Sequence, residues 1–450
     1  MLPATRHPSH DFLTPKQNNM TIQGTTAEEI FESIRTLVQS GEIGAGSSLP
    51  SVRDLAVTLG VNRNTVAVAY RRLVTSGMAV AQGRAGTIIR DQYVQGEQEG
   101  LQTTTALLDL ASGNPNPAWL PDLPDLLRLK RNAPRLYGES TLNTRLSTWL
   151  TGCMGADCPA DHDINLTHGA VDAIERLLMM DLRAGDKVAV ENPCFLSSMN
   201  VLRTFGMPVL GVDMDSEGML PEALASALAR GAKAVILTPR AQNPTGCSLS
   251  ARRAKALARV LTDYPTVLVV IDDHFAFLCN SAYHSVIPRH AQRWALIRSF
   301  SKTLGPDVRV AAVASDATTS LKLRLRLAPG MGWVSHLLQD IVEAAFTNTD
   351  SLALIARARD DYVLRRRALE AALQAQGIEH VAPGDGLNLW IPLAVDARDA
   401  ALALARQGWL VRHGDSFQVK DQVHGLRITI STLDPAACER LALHVKQSLG

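Results

Sequence analysis

The amino-acid sequence predicts two domains of different fold class. The first is a small, mostly helical domain with a β-hairpin, and the second is a large α/β domain with a mostly parallel sheet. Apolar residues at helical spacing, interrupted by glycines, dominate residues 24–90. Further along, residues 234–237 and 267–271 have the short apolar pattern of buried parallel strands. A chain of 450 residues is long enough for more than one domain.

The N-terminal domain has the pattern of a winged helix-turn-helix. Ser51 is placed as the N-cap of a helix at residues 52–59, and Gly60 follows as its terminating glycine. A further helix begins after residues 61–65, which completes a helix, glycine turn, helix arrangement. Residues 78–89 then form a predicted hairpin, the wing, with a basic tip.

The second helix of such a pair enters the major groove of DNA by its N-terminal residues. Short polar side chains and arginines there suit base edges and phosphates. The predicted DNA contacts are Arg53, Asn62, Arg63, Asn64, Thr65, Tyr70, Arg71 and Arg84. Seven Arg against five Asp or Glu in residues 26–90 is a modest excess, so a plain helical cap domain is the alternative.

A second motif lies between Ser299 and Arg309, where Lys302 is flanked by hydroxyl residues. An amine beside hydroxyl and guanidinium donors suits pyridoxal phosphate, which needs a Schiff-base partner and phosphate ligands. A lysine beside serines is also common in solvated loops, so this motif does not decide alone. Asp272 ends the strand at 267–271, where α/β sheets place ligands, and a carboxylate there can keep a pyridinium nitrogen protonated.

Asn243-Pro244-Thr245-Gly246, then Asp272, then Ser-x-Ser-Lys is a rare order of motifs, and it resembles the fold-type I aminotransferases. The resemblance extends from about residue 110 to the C-terminus. It implies a small C-terminal αβ subdomain at about 355–450 and a Schiff base on Lys302. Ring contacts from Asp272, Asn243 and Phe195 are implied as well. The implied phosphate ligands are Ser299, Ser301, Arg309, His168, Gly169, Ala170 and, across a dimer interface, Tyr137. Arg427 resembles the arginine that binds a substrate carboxylate.

Two departures from the family pattern affect catalysis. Phe275 stands where the family usually has a tyrosine, so one hydrogen bond to the cofactor's phenolic oxygen is missing. The tract after Gly138 lacks the usual second glycine and Leu-Arg pair. The site therefore looks suited to binding and less suited to turnover.

The tract 49–70 closely resembles the GntR-type winged helix. A winged helix fused to a fold-type I domain is the arrangement of the MocR subfamily of GntR regulators. Residues 113–117 and the short linker are similar to a subfamily member linked to control of a pyridoxal kinase gene.

This resemblance implies a regulator that responds to pyridoxal phosphate bound on Lys302 and controls a vitamin B6 salvage or related gene. Its implied partners are double-stranded operator DNA, a second copy of the chain, and an effector. The alternatives are a working aminotransferase with an accessory DNA-binding head, or a regulator whose effector is an amino acid or amine that reacts with the bound cofactor.

The domain boundaries and composition complete the prediction. We expect a disordered extension at 1–23, the winged helix at 24–90, a linker at 91–106 and the cofactor domain at 107–450. A net charge of +1 excludes a global basic field as the source of DNA affinity. The six cysteines lack metal-ligand spacing, so no metal site is predicted. With no apolar run of membrane length, we expect a cytoplasmic, bacterial protein.

Overall fold

The computed structural model describes residues 22–44, 46–76, 78–81, 86–89, 100, 106–130, 134–420 and 423–449. The chain divides into two compact units, Met1–Val94 and Gln95–Gly450. Arg84 at the predicted wing tip, most of the predicted linker and nearly all of the N-terminal extension lie outside the described residues.

The N-terminal unit is a three-helix domain with a two-stranded ribbon. Its elements are α1 (Ala27–Gln39), α2 (Val52–Leu59), α3 (Arg63–Thr75), β1 (Ala79–Ala81) and β2 (Thr87–Ile89). Each helix begins where a side chain accepts a hydrogen bond from the first turn: Thr26 in a capping box with Glu29, Ser51 for α2 and Asn62 for α3. Gly60 ends α2 in the left-handed conformation, with φ 64°. The predicted helix-turn-helix and the antiparallel pairing of the wing are confirmed.

The core of this unit lies between the three helices and β2. Ile30 and Ile34 of α1 and Leu73 of α3 are fully buried within it. Tyr70 is buried as well, and its hydroxyl donates to the carbonyl of Pro50 at 2.8 Å. This placement does not agree with the predicted DNA contact of Tyr70, because the side chain is enclosed by the core it helps to form.

The large unit contains twelve helices within the described residues, besides short 3-10 turns. They are α4 (Leu123–Arg128), α5 (Thr144–Gly155), α6 (Ala170–Met179), α7 (Leu196–Thr204), α8 (Pro221–Ala229), α9 (Ala251–Thr262), α10 (Ser301–Leu304), α11 (Ala317–Leu327), α12 (His336–Thr347), α13 (Thr349–Ala375), α14 (Arg398–Arg406) and α15 (Cys438–Ser448). No helix in the described ranges is both long and apolar enough to cross a membrane.

The strands of this unit form one large sheet and two small ones. They are β3 (Leu108–Asp109), β4 (Asp163–Thr167), β5 (Lys187–Asn192), β6 (Val209–Asp215), β7 (Gly218–Met219), β8 (Ala232–Leu237), β9 (Leu268–Asp272), β10 (Trp294–Ser299), β11 (Ala311–Ser315), β12 (Asn388–Pro392), β13 (Trp409–Leu410), β14 (Arg412–His413) and β15 (Gly425–Thr429).

The large sheet has the order β4-β11-β10-β9-β8-β5-β6-β7. The pairs between β10, β9, β8, β5 and β6 are all parallel, whereas β11 is antiparallel to both of its neighbours and β7 is antiparallel to β6. The predicted mostly parallel sheet is therefore confirmed. Successive residues of β9 alternate between two hydrophobic clusters, Val269 and Ile271 in one and Leu268 and Val270 in the other. Helices thus cover both faces of the sheet.

The C-terminal part follows the 27-residue helix α13 and contains the sheet β12-β15-β14. β3 pairs in parallel with β13, so the start of the large unit is attached to its C-terminal part. Leu110 continues this attachment, because its carbonyl accepts a hydrogen bond from Thr429 N at 2.7 Å. The strand that carries Arg427 is thereby attached to the first residues of the large unit.

Candidate functional site

The predicted cofactor residues follow strands whose carboxyl ends meet at one edge of the large sheet. Asp272 ends β9, and Lys302 lies three residues after β10. Their registers coincide, because Ile297 of β10 is paired with Asp272. Arg309 reaches the same edge by another route, since it precedes the antiparallel strand β11, whose first residue is paired with Ser299. The sheet topology therefore brings together residues from separate motifs.

The two acidic residues at the end of β9, Asp272 and Asp273, have different roles. Asp273 is fully buried and binds Arg240 through both carboxylate oxygens at 2.8 Å, and it accepts from Arg298 at 3.0 Å. Asp272 is also buried, but its Oδ1 accepts no hydrogen bond within the described part of the chain. Burial raises the pKa of Asp272 to about 7, Asp273 adds to this, and Lys302 opposes it. A protonated ring nitrogen is the kind of donor that such a carboxylate needs.

Lys302 lies in the short helix α10 and is half-buried. Its Nζ donates to the carbonyl of Gly113 at 2.6 Å, which ties the amine to the segment that precedes α4. Ser299 is buried and accepts from Ser301 N at 3.2 Å. The Ser301 hydroxyl is buried without a hydrogen-bond partner among the described atoms, so it can still take a polar ligand.

The turn from β4 into α6 forms an anion cup. Gly169 caps the ten-residue helix α6 with φ 95°, a backbone conformation that favours glycine. A Cβ on Gly169 would lie 2.9 Å from Nη2 of Arg309, so only glycine lets the guanidinium approach this closely. Ala170 begins the helix, whose free N–H groups and dipole attract anions. The His168 backbone N–H, however, donates to Asp172 at 3.0 Å.

Arg427 and Asn243 are in direct contact. Arg427 is fully buried in the centre of β15, with its guanidinium 5.0 Å above the ring centroid of Phe417. Its Nη1 donates to Asn243 Oδ1 at 3.0 Å, and Nη2 donates to the carbonyl of Ala111. A buried, planar arginine beside the cofactor residues is suited to bind a carboxylate with two hydrogen bonds.

Three aromatic residues predicted in the site have different positions. Phe195 precedes α7 and is stacked in parallel with His274, at 6.3 Å between centroids and 10° between planes. Phe275 is buried against the ring of Tyr362, in the hydrophobic core. Tyr137 lies outside the buried cluster: it is 92% exposed and packs edge-on against Trp333 at 5.7 Å.

Glu191 belongs to the site, although the sequence analysis assigned it no role. It is buried at the end of β5, and it accepts from Thr238 N at 3.0 Å and from Gln242 Nε2 at 3.2 Å. Burial raises its pKa to about 7 in spite of these hydrogen bonds. Glu191 thus joins the loops after β5 and β8, which carry Phe195 and Asn243. An acidic residue inside the apolar run of β5 was the signal that could have indicated this.

The predicted DNA contacts, apart from Tyr70 and the undescribed Arg84, lie on α2, around the start of α3 and, for Arg71, in the second half of α3. Arg53, Asn62, Arg63, Asn64 and Arg71 are exposed, and Thr65 is half-buried. Asn62 also has a structural role, because its side-chain oxygen accepts from Asn64 N at 2.8 Å. Apart from Arg71, these side chains form a polar, basic surface around the N-terminus of α3.

Comparison with known families agrees with both halves of this description. The model of aminotransferase class I and II matches residues 106–445, and the model of the gntR family of bacterial regulatory proteins matches residues 26–89. This chain belongs to the MocR subfamily of the GntR regulators. MocR proteins combine these two domains, and the recognition made from the sequence motifs is confirmed.

Several curated proteins are similar to this MocR chain over most of its length. The vitamin B6 salvage pathway transcriptional repressor PtsJ of Salmonella typhimurium is 51% identical over 429 residues, which cover 95% of this chain and 100% of PtsJ. The regulator TauR of Rhodobacter capsulatus is 27% identical, covering 92% of this chain and 94% of TauR. The pyridoxine biosynthesis regulator PdxR of Corynebacterium glutamicum is 28% identical, covering 62% of this chain and 64% of PdxR.

Solved structures support the fold of the large unit. A multiple substrate aminotransferase from Thermococcus profundus superposes with a TM-score of 0.70 at 22% identity, covering 77% of this chain and 92% of that chain. The α-aminoadipate aminotransferase LysN from Thermus thermophilus has a TM-score of 0.66 at 22% identity, with the same coverage. The predicted fold-type I architecture is confirmed.

The aminotransferase-like domain of this MocR chain is a pyridoxal phosphate-binding domain, and the geometry fits that cofactor. The buried Asp272 Oδ1 lacks a donor within the described residues, and the Gly169 turn leaves room beside Arg309 where a Cβ would not fit. Lys302 would hold the aldehyde carbon and Asp272 the ring nitrogen, with the α6 turn and Arg309 around the phosphate. When bound, the cofactor supplies an electron sink.

Proposed function

We propose that this protein is a transcriptional regulator of a vitamin B6 salvage gene, such as that of pyridoxal kinase, and that pyridoxal phosphate held through Lys302 is its effector. DNA is read by the surface at the start of α3, with Arg53, Arg63 and Arg71 as cationic contacts. Repression is the direction we propose, since PtsJ, which is similar over 95% of this chain, is named as a repressor.

One observation carries this proposal: Asp272, Lys302 and Asn243 converge on one sheet edge in a chain that also has a DNA-reading domain. Phe275 at the position of the usual tyrosine favours a bound, sensed cofactor over rapid turnover. A ligand changes DNA affinity only if it binds the DNA-competent and incompetent states differently. A coupling of about 1–3 kcal/mol gives roughly a 5- to 150-fold change in DNA affinity.

We further propose that the regulator is a homodimer, which would present two winged helices to paired half-sites. Tyr137 is 92% exposed and Met331 58% exposed, and both line a groove of about 750 Å³ that also reaches His168. Exposed aromatic and apolar side chains beside the anion cup favour coverage by a second copy of the chain. The hydroxyl of Tyr137 would then reach the partner's cofactor phosphate.

The deciding experiment is a titration of DNA from upstream of the genes next to that of this protein, with and without pyridoxal phosphate, at fixed salt. Wild type should change its affinity by at least about 5-fold, and Lys302→Ala should not respond. Lys233→Ala, an exposed lysine on β8, is the matched control and should respond like wild type. Equal responses in Lys302→Ala and wild type would refute sensing through Lys302.

A second candidate function is supported by the position of Arg427. A buried arginine within hydrogen-bond distance of Asn243 can orient an amino acid toward Lys302. The chain would then be an aminotransferase with an accessory head, or a regulator whose effector is an amino acid or amine. Steady conversion of an amino acid and a keto acid supports the first. A DNA response that requires an amino acid in addition to the cofactor supports the second.

A further inference from the structure

A second cavity, of about 370 Å³, lies between α13 and two segments, residues 278–281 and 383–386. Arg359, Arg366 and Arg367 of α13 line it. Positions 359 and 366 are seven residues apart, so their side chains project from the same face of the helix, two turns apart. Three guanidinium groups therefore surround one small space.

Arg366 is the buried member of this group, with 4% of its surface exposed. Its Nη2 donates to the carbonyls of Asp385, at 2.8 Å, and Asn388, and its Nη1 reaches Glu370 at 3.4 Å. Its Nε, like that of Arg359, is buried without a hydrogen-bond partner among the residues described. Burial lowers the pKa of Arg366, and the carboxylates of Glu370 and Asp385 only oppose this effect. The positive charge is thus incompletely compensated, which is costly in a buried position.

Two carboxylates line the cavity against three arginines, and one of them, Glu370, is already 3.4 Å from Nη1 of Arg366. Both oxygens of Asp385 are occupied: Oδ2 accepts from Asn280 N at 2.8 Å and Ser281 N at 2.7 Å, and Oδ1 accepts from Gly386 N at 2.7 Å. The carboxylate paired with Arg359 is that of Asp360, at 3.7 Å, and its side chain is 75% exposed. The cavity therefore has an excess of cationic donors.

We propose that this cavity is a second ligand site, which binds the carboxylate or phosphate group of a small metabolite between Arg359, Arg366 and Arg367. Guanidinium groups bind such oxyanions with charge-assisted, paired hydrogen bonds. An oxyanion would supply acceptors for the two buried Nε atoms. The ligand class is thus an anionic small molecule, distinct from the cofactor on Lys302.

The position of the cavity relates it to the cofactor site. Asp385 N donates to the carbonyl of Gly246 at 2.8 Å, and a Cβ on Gly386 would lie 2.7 Å from Cβ of Ala241. The segment 383–386, which Arg366 binds through the carbonyl of Asp385, thus packs directly on the loop 241–246, which carries Asn243. A ligand that draws Arg366 away from the segment 383–386 would alter the position of Asn243. This second step rests on the proposed function, whereas anion binding itself does not.

The test uses the full chain loaded with pyridoxal phosphate, so that the anion cup is occupied by the cofactor. The unfolding midpoint is followed during titration with sodium phosphate and, in a separate arm, sodium succinate, against sodium chloride at equal ionic strength. We expect saturable stabilisation beyond chloride in at least one arm. Phosphate alone indicates a phosphate ester, succinate alone a carboxylate, and either result supports the site.

The double variant Arg359→Gln/Arg367→Gln should raise the half-saturating anion concentration at least about 10-fold, because two charge-assisted contacts are lost. Both arginines are partly exposed, so the fold should tolerate the change. Arg357→Gln, an exposed position on the same helix, is the control and should match wild type. Equal titrations of the double variant and wild type, or no stabilisation beyond chloride, would overturn the proposal. The retained absorption of bound cofactor shows that such a failure concerns the cavity and not the cofactor site.

Discussion

Arg427 donates a hydrogen bond from Nη1 to the side-chain oxygen of Asn243 across 3.0 Å, and both residues are buried. The arginine suited to bind a ligand carboxylate is thus bonded to the amide suited to the cofactor's ring oxygen. A carboxylate that binds Arg427 must compete with Asn243 for the same guanidinium. Ligand binding at Arg427 is therefore expected to change the hydrogen bonding of the cofactor ring.

The first prediction concerns this pair. Arg427→Gln should shift the spectral change that amino acids cause in the cofactor-loaded protein to higher amino-acid concentrations, because the carboxylate loses a bidentate partner. The affinity for amino acids should fall by about 10- to 100-fold, as expected for a charged hydrogen-bonded contact. Titration of absorption with amino acids measures both effects. Undiminished amino-acid binding in a folded variant would contradict the assigned role of Arg427.

Asp272 predicts a pH dependence of the cofactor-free protein. Its pKa is raised to about 7 in the folded state, from an ordinary value of 3.8, so the folded chain binds more protons between these values. The stability should therefore fall as the pH rises from about 4 to about 7 and become level above that. Between pH 5 and pH 8 the contribution of this group should decrease by about 2–3 kcal/mol.

Asp272→Asn removes this contribution, so its stability should depend less on pH than that of wild type. Chemical denaturation of both proteins at several pH values measures the difference. Glu191, whose pKa is also raised to about 7, is present in both proteins, and Asp272 is the smallest of the influences on that pKa, so most of the Glu191 contribution cancels. Parallel pH profiles would show that Asp272 is not protonated in the folded state. The same variant should also bind pyridoxal phosphate more weakly, because the charged ring contact is lost.

Phe275→Tyr should increase any slow transamination by roughly 10-fold, since one hydrogen bond of about 1.4 kcal/mol would be added at the cofactor. Because Phe275 is buried against Tyr362, the added hydroxyl should cost about 1–2 kcal/mol of stability in the cofactor-free protein. Single-turnover rates with amino acids measure the gain. An unchanged rate would mean that the missing hydroxyl does not limit turnover.

Arg63 and Tyr70 should separate DNA recognition from stability. Arg63→Ala should weaken operator binding and reduce the dependence of log K on log salt by about one, since Arg63 is exposed at the start of α3. Tyr70→Phe should destabilise the domain by about 1 kcal/mol, through loss of the hydrogen bond to Pro50, and leave the operator affinity of the folded protein unchanged. DNA titrations at three salt concentrations and thermal unfolding test both. Weaker operator binding by the folded Tyr70→Phe variant would restore the predicted DNA contact of Tyr70.

The motifs by themselves determined the two domains, the helix-turn-helix and the residue types of the cofactor site. Such features are local: a cap, a glycine turn or an acid at a strand end is specified by neighbours in the chain. Asn243, Asp272 and Lys302 could be predicted because each follows a strand, and the carboxyl ends of parallel strands meet at one edge.

Only the tertiary structure decided which distant residues pair with one another. The roles of Asp272 and Asp273 differ because Arg240 and Arg298, far apart in the chain, both bind the second carboxylate. Tyr70 shares the helical spacing of the buried Val66 and Leu73, but only the packing shows that its hydroxyl donates to Pro50, twenty residues away. Burial and charge compensation depend on the whole surroundings of a side chain, which no local pattern of residues contains.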